Sequence, residues 1–148
     1  MEIRFKKLTD SATIPTYGGG DSANAGLDLY SSSEMDITIP AGRFAIIPTG
    51  IAWEPIAGSR CVMIVQSRSG MAFKHNIEAS NAGVIDSTYR GEISVKLYNT
   101  GDSDYIVHKG DRIAQGIVMI LPEIREIVEM VELGDTIRGD SGFGSTGR

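Results

Sequence analysis

The chain of 148 residues contains a single cysteine, Cys61. It also has no apolar run near the roughly 20 residues that a membrane helix needs. One cysteine excludes an intrachain disulfide and a zinc site built from cysteines. Positive charge is scarce as well, because 14 Lys and Arg residues face 19 Asp and Glu residues and give a net charge of −5. These deficits argue against a nucleic-acid-binding surface and against membrane attachment.

No apolar stretch follows the N-terminal MEIRFKK, so we expect no signal peptide. A lone cysteine within an apolar run is typical of a small buried residue in a reducing compartment. We therefore expect a cytoplasmic protein, with the nucleus as a second possibility if the source is eukaryotic.

Glycine, in contrast, is abundant: it fills 18 of 148 positions, about 12% against a typical ~7%. Glycines and prolines divide the chain into short segments, which favours strands over helices. Ile93, Val95 and Leu97 alternate with more polar residues, as in a strand with one buried face. Residues 61–65 and, with one interruption, 113–121 are continuously apolar, as in strands buried on both faces. The sequence therefore predicts an all-β domain, a sandwich or a barrel.

Two C-terminal segments depart from this pattern. The first has the i, i+3, i+4, i+7 spacing of a helix together with many β-branched residues, at Ile124, Ile127, Val128 and Val131. The second, residues 138–148 (RGDSGFGSTGR), contains a literal G-x-G-x-x-G. A dinucleotide-binding turn must open a helix and only Arg148 follows, so we reject that motif. The second segment is either a flexible tail or an anion-binding arm of backbone N–H groups, hydroxyls and arginines.

Four further segments combine ionisable or amide side chains with glycine turns. They are residues 25–30 (AGLDLY), 68–70 (RSG), 83–91 (GVIDSTYRG) and 110–115 (GDRIAQ). Asp86 ends an apolar strand before a turn, so it is either a turn-capping carboxylate or a general base. Arg68 is either part of a turn or a phosphate contact. On a regular strand Arg112 and Gln115 lie on opposite faces, so only one of them would point to a ligand.

Together with residues 138–147, these segments resemble the five motifs of the homotrimeric dUTPases, the deoxyuridine triphosphate nucleotidohydrolases. They occur in the family's order and spacing, and the resemblance covers nearly the whole chain, from about Ile3 to Arg148. It implies a distorted jelly-roll-like β-barrel over residues 1–137 and a homotrimer with active sites between subunits. Residues 138–148 would be an exchanged arm that closes a neighbouring active site. By the same analogy we expect residues 124–131 to form a strand, against their helical spacing.

The resemblance also implies a reaction and its residues. Water would attack the α-phosphorus of dUTP and give dUMP and pyrophosphate, which limits uracil incorporation into DNA and supplies dUMP for dTTP synthesis. Asp86 would be the general base, and Tyr89 would pack under the deoxyribose and leave no room for a 2′-hydroxyl. Mg²⁺ would be held by the triphosphate and by waters, one of which Asp28 would contact.

The other implied contacts surround uracil and the phosphates. Backbone groups of the hairpin at residues 80–91, including Gly83 and Val84, would read uracil, with Asn81 or Ser80 facing the base. The remaining substrate contacts would be Arg68, Ser69, Gly70 and Gln115 on the phosphate chain, Phe143 over uracil, Arg138, Ser145 and Thr146 over the outer phosphates, and Gly144.

Two departures from the family pattern stand beside this resemblance. Ser67 precedes the RSG motif where the family commonly has proline, and Asn81 lies five rather than six residues before Asp86. Two other functions are alternatives to this hydrolase. A dCTP deaminase would need a glutamate that activates water, and a trimeric nucleotide-binding or signalling protein would use the arm as a switch. Asp86 and Tyr89 favour the hydrolase over both.

Overall fold

The computed structural model describes residues 2–80 and 83–140, and strands dominate these ranges. The strands are β1 (Ile3–Lys7), β2 (Thr16–Tyr17), β3 (Leu27–Tyr30), β4 (Ile37–Ile39), β5 (Phe44–Pro48), β6 (Ile51–Pro55), β7 (Cys61–Gln66), β8 (Ile77–Ala79), β9 (Val84–Asp86), β10 (Ser94–Asn99), β11 (Tyr105–Val107) and β12 (Arg112–Ile120). Helix α1 (Ser69–His75) lies between β7 and β8, and a 3-10 turn occupies Gly18–Gly20. The all-β prediction is confirmed. In the described part of the chain, no helix is long and apolar enough to cross a membrane.

Every strand pair is antiparallel, and most partners are distant in sequence. One sheet has the order β2-β3-β12-β7-β9 and a second has the order β5-β10-β8. Two ribbons, β1-β6 and β4-β11, complete the arrangement. Long connections between neighbouring strands are typical of jelly rolls, so the topology agrees with the expected jelly-roll-like fold.

The core draws its side chains from both sheets and both ribbons. Its largest fully buried members include Leu29, Ile47, Trp53, Met63 and Leu97. Ile93, Val95 and Leu97 are all buried, as their alternation predicts. Cys61 is buried as well, and burial raises the pKa of its thiol. A buried thiol held in its protonated form is a packing residue rather than a nucleophile.

Residues 121–137 form neither the helix of their spacing nor the strand expected from the resemblance. Ile127 and Val131 are 89% and 102% exposed. The chain leaves the barrel after Leu121, whose N–H donates to the Arg60 carbonyl at 2.8 Å. A strand needs a hydrogen-bonded neighbour, and this segment has none among residues 2–80 and 83–140. The strand prediction for residues 124–131 is therefore wrong for the isolated chain.

Asn99 is a buried polar residue that joins three parts of the fold. Its Nδ2 donates to the carbonyls of Ile39 (2.9 Å) and Ser103 (2.8 Å), and its Oδ1 accepts from the Gly101 N–H (3.0 Å). Asn99→Leu leaves three backbone groups without these partners, so we expect the free energy of unfolding to fall by about 2–4 kcal/mol. Urea denaturation measures it. Thr100→Ala, which removes one exposed hydrogen bond, is the control; an equal loss in both variants would contradict the role of Asn99.

Candidate active site

Four of the residues predicted to hold phosphate lie around one cavity of about 290 Å³. They are Arg68, Ser69, Gly70 and Gln115, and Asp28 lines the same cavity. Strands β3, β7 and β12, which are neighbours in one sheet, bring these segments together. The glycine-rich loop before β3 also lines the cavity, through Gly18, Asn24 and Gly26.

Arg68 has an extended backbone between the end of β7 and helix α1. Ser69 and Gly70 form the first turn of α1, so the expected turn at the RSG motif is the beginning of a helix that we did not predict. The sequence does carry a signal for its end. Asn76 adopts φ 55°, its N–H donates to the Ala72 carbonyl, and the basic Lys74 and His75 occupy the last turn.

Asp28 is the electrostatic centre of this cavity and is only 6% exposed. Its Oδ1 accepts a hydrogen bond from Arg68 Nε (3.1 Å), and its Oδ2 accepts one from Arg112 Nη1 (3.3 Å). Arg68 Nη1 also donates to the Arg112 carbonyl (3.2 Å). One carboxylate thus orients two guanidinium groups, and the three charges sum to +1. That balance suits an anionic ligand.

Arg112 and Gln115 both line this cavity, so the prediction that they lie on opposite faces is wrong. The register between β12 and β3 shifts between Arg112 and Ala114, which is a β-bulge. The extra residue reverses the alternation and turns both side chains to the same side. Gln115 Nε2 donates to the Ser67 carbonyl (3.2 Å), and a side chain at Gly26 would lie 3.1 Å from the Gln115 Cβ. Gly26 therefore makes room for Gln115.

Asp86 and Tyr89 line a different cavity of about 310 Å³, together with Val84, Glu92 and Ser94. Asp86 is the last residue of β9, as predicted, and its carbonyl accepts the Tyr89 N–H (3.0 Å). This hydrogen bond closes a tight turn, so the carboxylate and the tyrosine have a fixed relative placement. Tyr89 is 46% exposed as a residue, and its aromatic side chain offers an apolar surface to a ligand.

The two cavities lie at opposite ends of strand β7. Asp86 pairs with Val62, whereas Gln115 pairs with Gln66. Four residues of an extended strand span about 13 Å. Within the described ranges, a single chain therefore does not bring Asp86 into one cavity with Arg68, Ser69 and Gln115.

Gly83 lies beside strand β7, where its carbonyl accepts the Val65 N–H (2.7 Å). A Cβ at Gly83 would lie 2.6 Å from that of Val65, so only glycine permits this approach. Arg138 is exposed and lies beyond the last strand, β12. The other predicted contacts, Asn81, Phe143, Gly144, Ser145 and Thr146, lie outside the described residues.

Arg112 and Glu92 are among the cavity residues that sequence reasoning missed. Arg112 belongs to a motif that we quoted, but only the bulge reveals that it shares a cavity with Arg68. Glu92 follows the GVIDSTYRG motif and carries no sequence signal of its own. Its Oε1 accepts the Gly50 N–H (2.7 Å), a contact between residues 42 positions apart.

The family model described as dUTPase matches residues 10–147. The deoxyuridine 5'-triphosphate nucleotidohydrolase of Arabidopsis thaliana is 44% identical over 147 residues, covering 98% of this chain and 82% of that protein. A solved dUTPase variant of Staphylococcus bacteriophage 80alpha with dUpNHpp has a TM-score of 0.82 at 24% identity and covers 99% of each chain.

A second solved structure is a variant dUTPase of phage phi11 of S. aureus, described for its coordination of a structural Mg(II) ion. It has a TM-score of 0.74 at 20% identity, covering 89% of this chain and 100% of that one. At these identities the solved structures establish the fold. The family model spans nearly all of the sequence. On these grounds the chain belongs to the dUTPase family.

Proposed function

We propose that this protein hydrolyses dUTP to dUMP and pyrophosphate. The observation that carries the proposal is the placement of Asp86 and Tyr89 at the two ends of one tight turn, in an open cavity. A carboxylate beside an aromatic platform can activate water next to a bound nucleotide. Membership in the dUTPase family and the name of the plant relative support dUTP as the substrate.

The active site is composite in this proposal: the Asp86 cavity of one subunit faces the Arg68 cavity of another. The separation of about 13 Å along β7 supports it, because one chain cannot offer both groups to the same phosphate chain. The exposed apolar side chains after the barrel also call for a neighbour. They include Ile127, Val131, Leu133 and Ile137. A homotrimer in which residues 124–131 pack against another subunit and residues 138–148 close its site satisfies both requirements.

The nucleoside would occupy the Asp86 cavity. Tyr89 lies under the deoxyribose and leaves no space for a 2′-hydroxyl. Backbone groups of Gly83 and Val84 contact the uracil edge, and Asn81 or Ser80 faces the base. Phe143 from the arm covers the other face of the base, since an aromatic ring on a base is a favourable stack.

The triphosphate would extend into the Arg68 cavity of the neighbouring subunit. Arg68, Ser69, Gly70 and Gln115 contact its oxygens from the cavity wall. Four arm residues add donors to the outer phosphates, namely Arg138, Gly144, Ser145 and Thr146. Donors that are fixed before the reaction stabilise the charge that develops on the leaving pyrophosphate.

The residues of this cavity fit Mg²⁺ held by the substrate rather than by the protein. Both oxygens of Asp28 already accept hydrogen bonds from arginines, and these two positive charges oppose a cation bound directly to the carboxylate. A carboxylate has about four lone-pair sites, so it can still accept a hydrogen bond from a metal-bound water. Bound to the triphosphate, Mg²⁺ would neutralise part of its charge. The dUTPase of phage phi11 provides a precedent for Mg(II) in the family.

The protein's part in the reaction is a proton transfer and a displacement. An Asp86 oxygen accepts a proton from a water whose oxygen bonds to the α-phosphorus. The bond from that phosphorus to the bridging oxygen breaks, and its electron pair leaves with pyrophosphate. Arg68, Ser69, Gly70 and Gln115 stabilise the negative charge that increases on the leaving group.

A cytoplasmic location, or a nuclear one in a eukaryotic source, remains a prediction.

Pyrophosphate release from dUTP, dTTP, dCTP and UTP in the presence of Mg²⁺ tests the activity. We expect rapid release from dUTP alone. Ammonia release from dCTP would contradict the proposal and show that the protein deaminates dCTP. Tight dUTP binding with no hydrolysis would replace it with a binding or signalling role.

A further inference from the structure

The ring of Tyr89 is held by Gly91 and Glu92, two and three residues further along the chain, rather than by the core. Its hydroxyl donates to the Glu92 carbonyl (3.1 Å), so the side chain folds back over the chain. Gly91 lies directly beneath it. A Cβ at Gly91 would overlap the Tyr89 hydroxyl and lie 2.5 Å from Cζ. The ring therefore keeps this position only because residue 91 has no side chain.

Glu92 is itself hydrogen-bonded to the turn between β5 and β6. Its Oε1 accepts the Gly50 N–H (2.7 Å), and the neighbouring Ile93 N–H donates to the Ile51 carbonyl (2.9 Å). The Thr49 hydroxyl donates to the Ile93 carbonyl. Three hydrogen bonds thus fix the backbone that carries the acceptor for Tyr89. Glu92 is half-buried and lines the same cavity as Asp86.

Gly50, whose N–H donates to the Glu92 carboxylate, is also constrained. Gly50 has φ +64°, and a Cβ there would lie 2.9 Å from the Ala12 Cβ and 3.0 Å from the Ser32 hydroxyl oxygen. Its backbone therefore has little freedom, and its N–H points at the Glu92 carboxylate. Two hydrogen bonds of Glu92 therefore link this turn to the tyrosine: its carboxylate accepts the Gly50 N–H, and its carbonyl accepts the Tyr89 hydroxyl.

We propose that Gly91 and Glu92 are positioning residues that set the height and tilt of the Tyr89 ring, and through it the preference for deoxyribose over ribose. The proposal rests on the proposed function, in which the sugar lies on this ring. A small displacement of a close-packed surface changes the space for one hydroxyl group. Misplacement by about 1 Å can cost up to 10²-fold in enzymes.

The first experiment compares kcat/KM for dUTP and UTP in Gly91→Ala, Glu92→Ala and Glu92→Gln. We expect the dUTP/UTP ratio to fall about tenfold or more in the first two variants, because the ring shifts. Glu92→Gln keeps an oxygen that accepts the Gly50 N–H, so its dUTP/UTP ratio should stay at the wild-type value. Equal ratios in all three variants and the wild type would overturn the proposal, as would a fall in Glu92→Gln as large as in Glu92→Ala.

The second experiment asks whether the effect passes through the ring. In a Tyr89→Ala background, Gly91→Ala should cause no further loss of the ratio, since there is no ring to displace. A further loss of the same size would mean that Gly91 acts on the backbone alone, and the proposal would fail. The paired Glu92 variants keep the test decisive if Gly91→Ala does not fold.

Binding of dUMP and UMP separates this proposal from the proposed function. Affinities measured for the same variants report the fit of the sugar without any turnover. A wild-type protein that does not hydrolyse dUTP but prefers dUMP, with that preference reduced in Gly91→Ala and Glu92→Ala, refutes the activity and supports the positioning role. A wild-type protein that hydrolyses dUTP, with preferences unchanged in both variants, supports the activity and refutes the positioning role.

Discussion

Replacing Asp86 with asparagine is expected to lower the rate of dUTP hydrolysis by about 10²–10⁴-fold, the usual contribution of a general base. Asparagine has nearly the same shape, so the cavity beside Tyr89 and the turn to it should persist. The amide cannot accept the proton of the attacking water. The affinity for dUTP should therefore remain close to that of the wild type.

Glu92→Gln is the matched control, because it makes the same chemical change to another acidic residue of the same cavity. Its oxygen still accepts the Gly50 N–H, so turnover should stay near the wild-type rate. Pyrophosphate release gives the rates, and titration calorimetry gives the affinities. Hydrolysis by Asp86→Asn within tenfold of the wild-type rate would contradict the role of Asp86. An equal loss in both variants would mean that the cavity needs negative charge rather than this base.

Truncation after Ile137 is expected to lower turnover by about 10²-fold or more, because it removes the arm proposed to close the site. Residues 132–140 are exposed and the core lies in the barrel. The truncated protein should therefore unfold at nearly the same temperature as the full chain. Thermal unfolding and pyrophosphate release measure the two effects separately.

A length-matched control separates the chemistry of the arm from its bulk. In this variant, residues 138–148 are replaced by glycine and serine. We expect it to be as slow as the truncated chain, because it lacks Arg138 and Phe143. Normal turnover by either variant would contradict the assignment of substrate contacts to the arm.

The strands were predictable from the sequence wherever a single physical requirement decided them. Ile93, Val95 and Leu97 alternate because one face of β10 meets the core, and the apolar run at residues 61–65 reflects β7 between two neighbours. Asp86 was placed at a strand end from the apolar residues before it and the turn residues after it. These inferences need only local pattern, so no tertiary information was required.

The errors arose where distant parts of the chain decide the outcome. The bulge that turns Arg112 towards Asp28 depends on the register of β12 against β3, which the sequence of β12 alone does not contain. Residues 124–131 carry a helical spacing and β-branched side chains, yet they have no partner strand in the part of the chain that the structure describes. The support that Glu92 gives to Tyr89 comes from a turn 42 residues earlier.

The most direct test of a composite active site is complementation between two inactive variants. Asp86→Asn and Arg68→Gln are each expected to be nearly inactive alone. In the proposed homotrimer, assembled from an equal mixture, about one quarter of the sites would join an intact Asp86 to an intact Arg68 from a neighbouring subunit. We predict recovery of about a quarter of the wild-type rate of pyrophosphate release from dUTP after co-refolding. A mixture as inactive as its two parents, in trimers shown to contain both chains, would contradict the composite site.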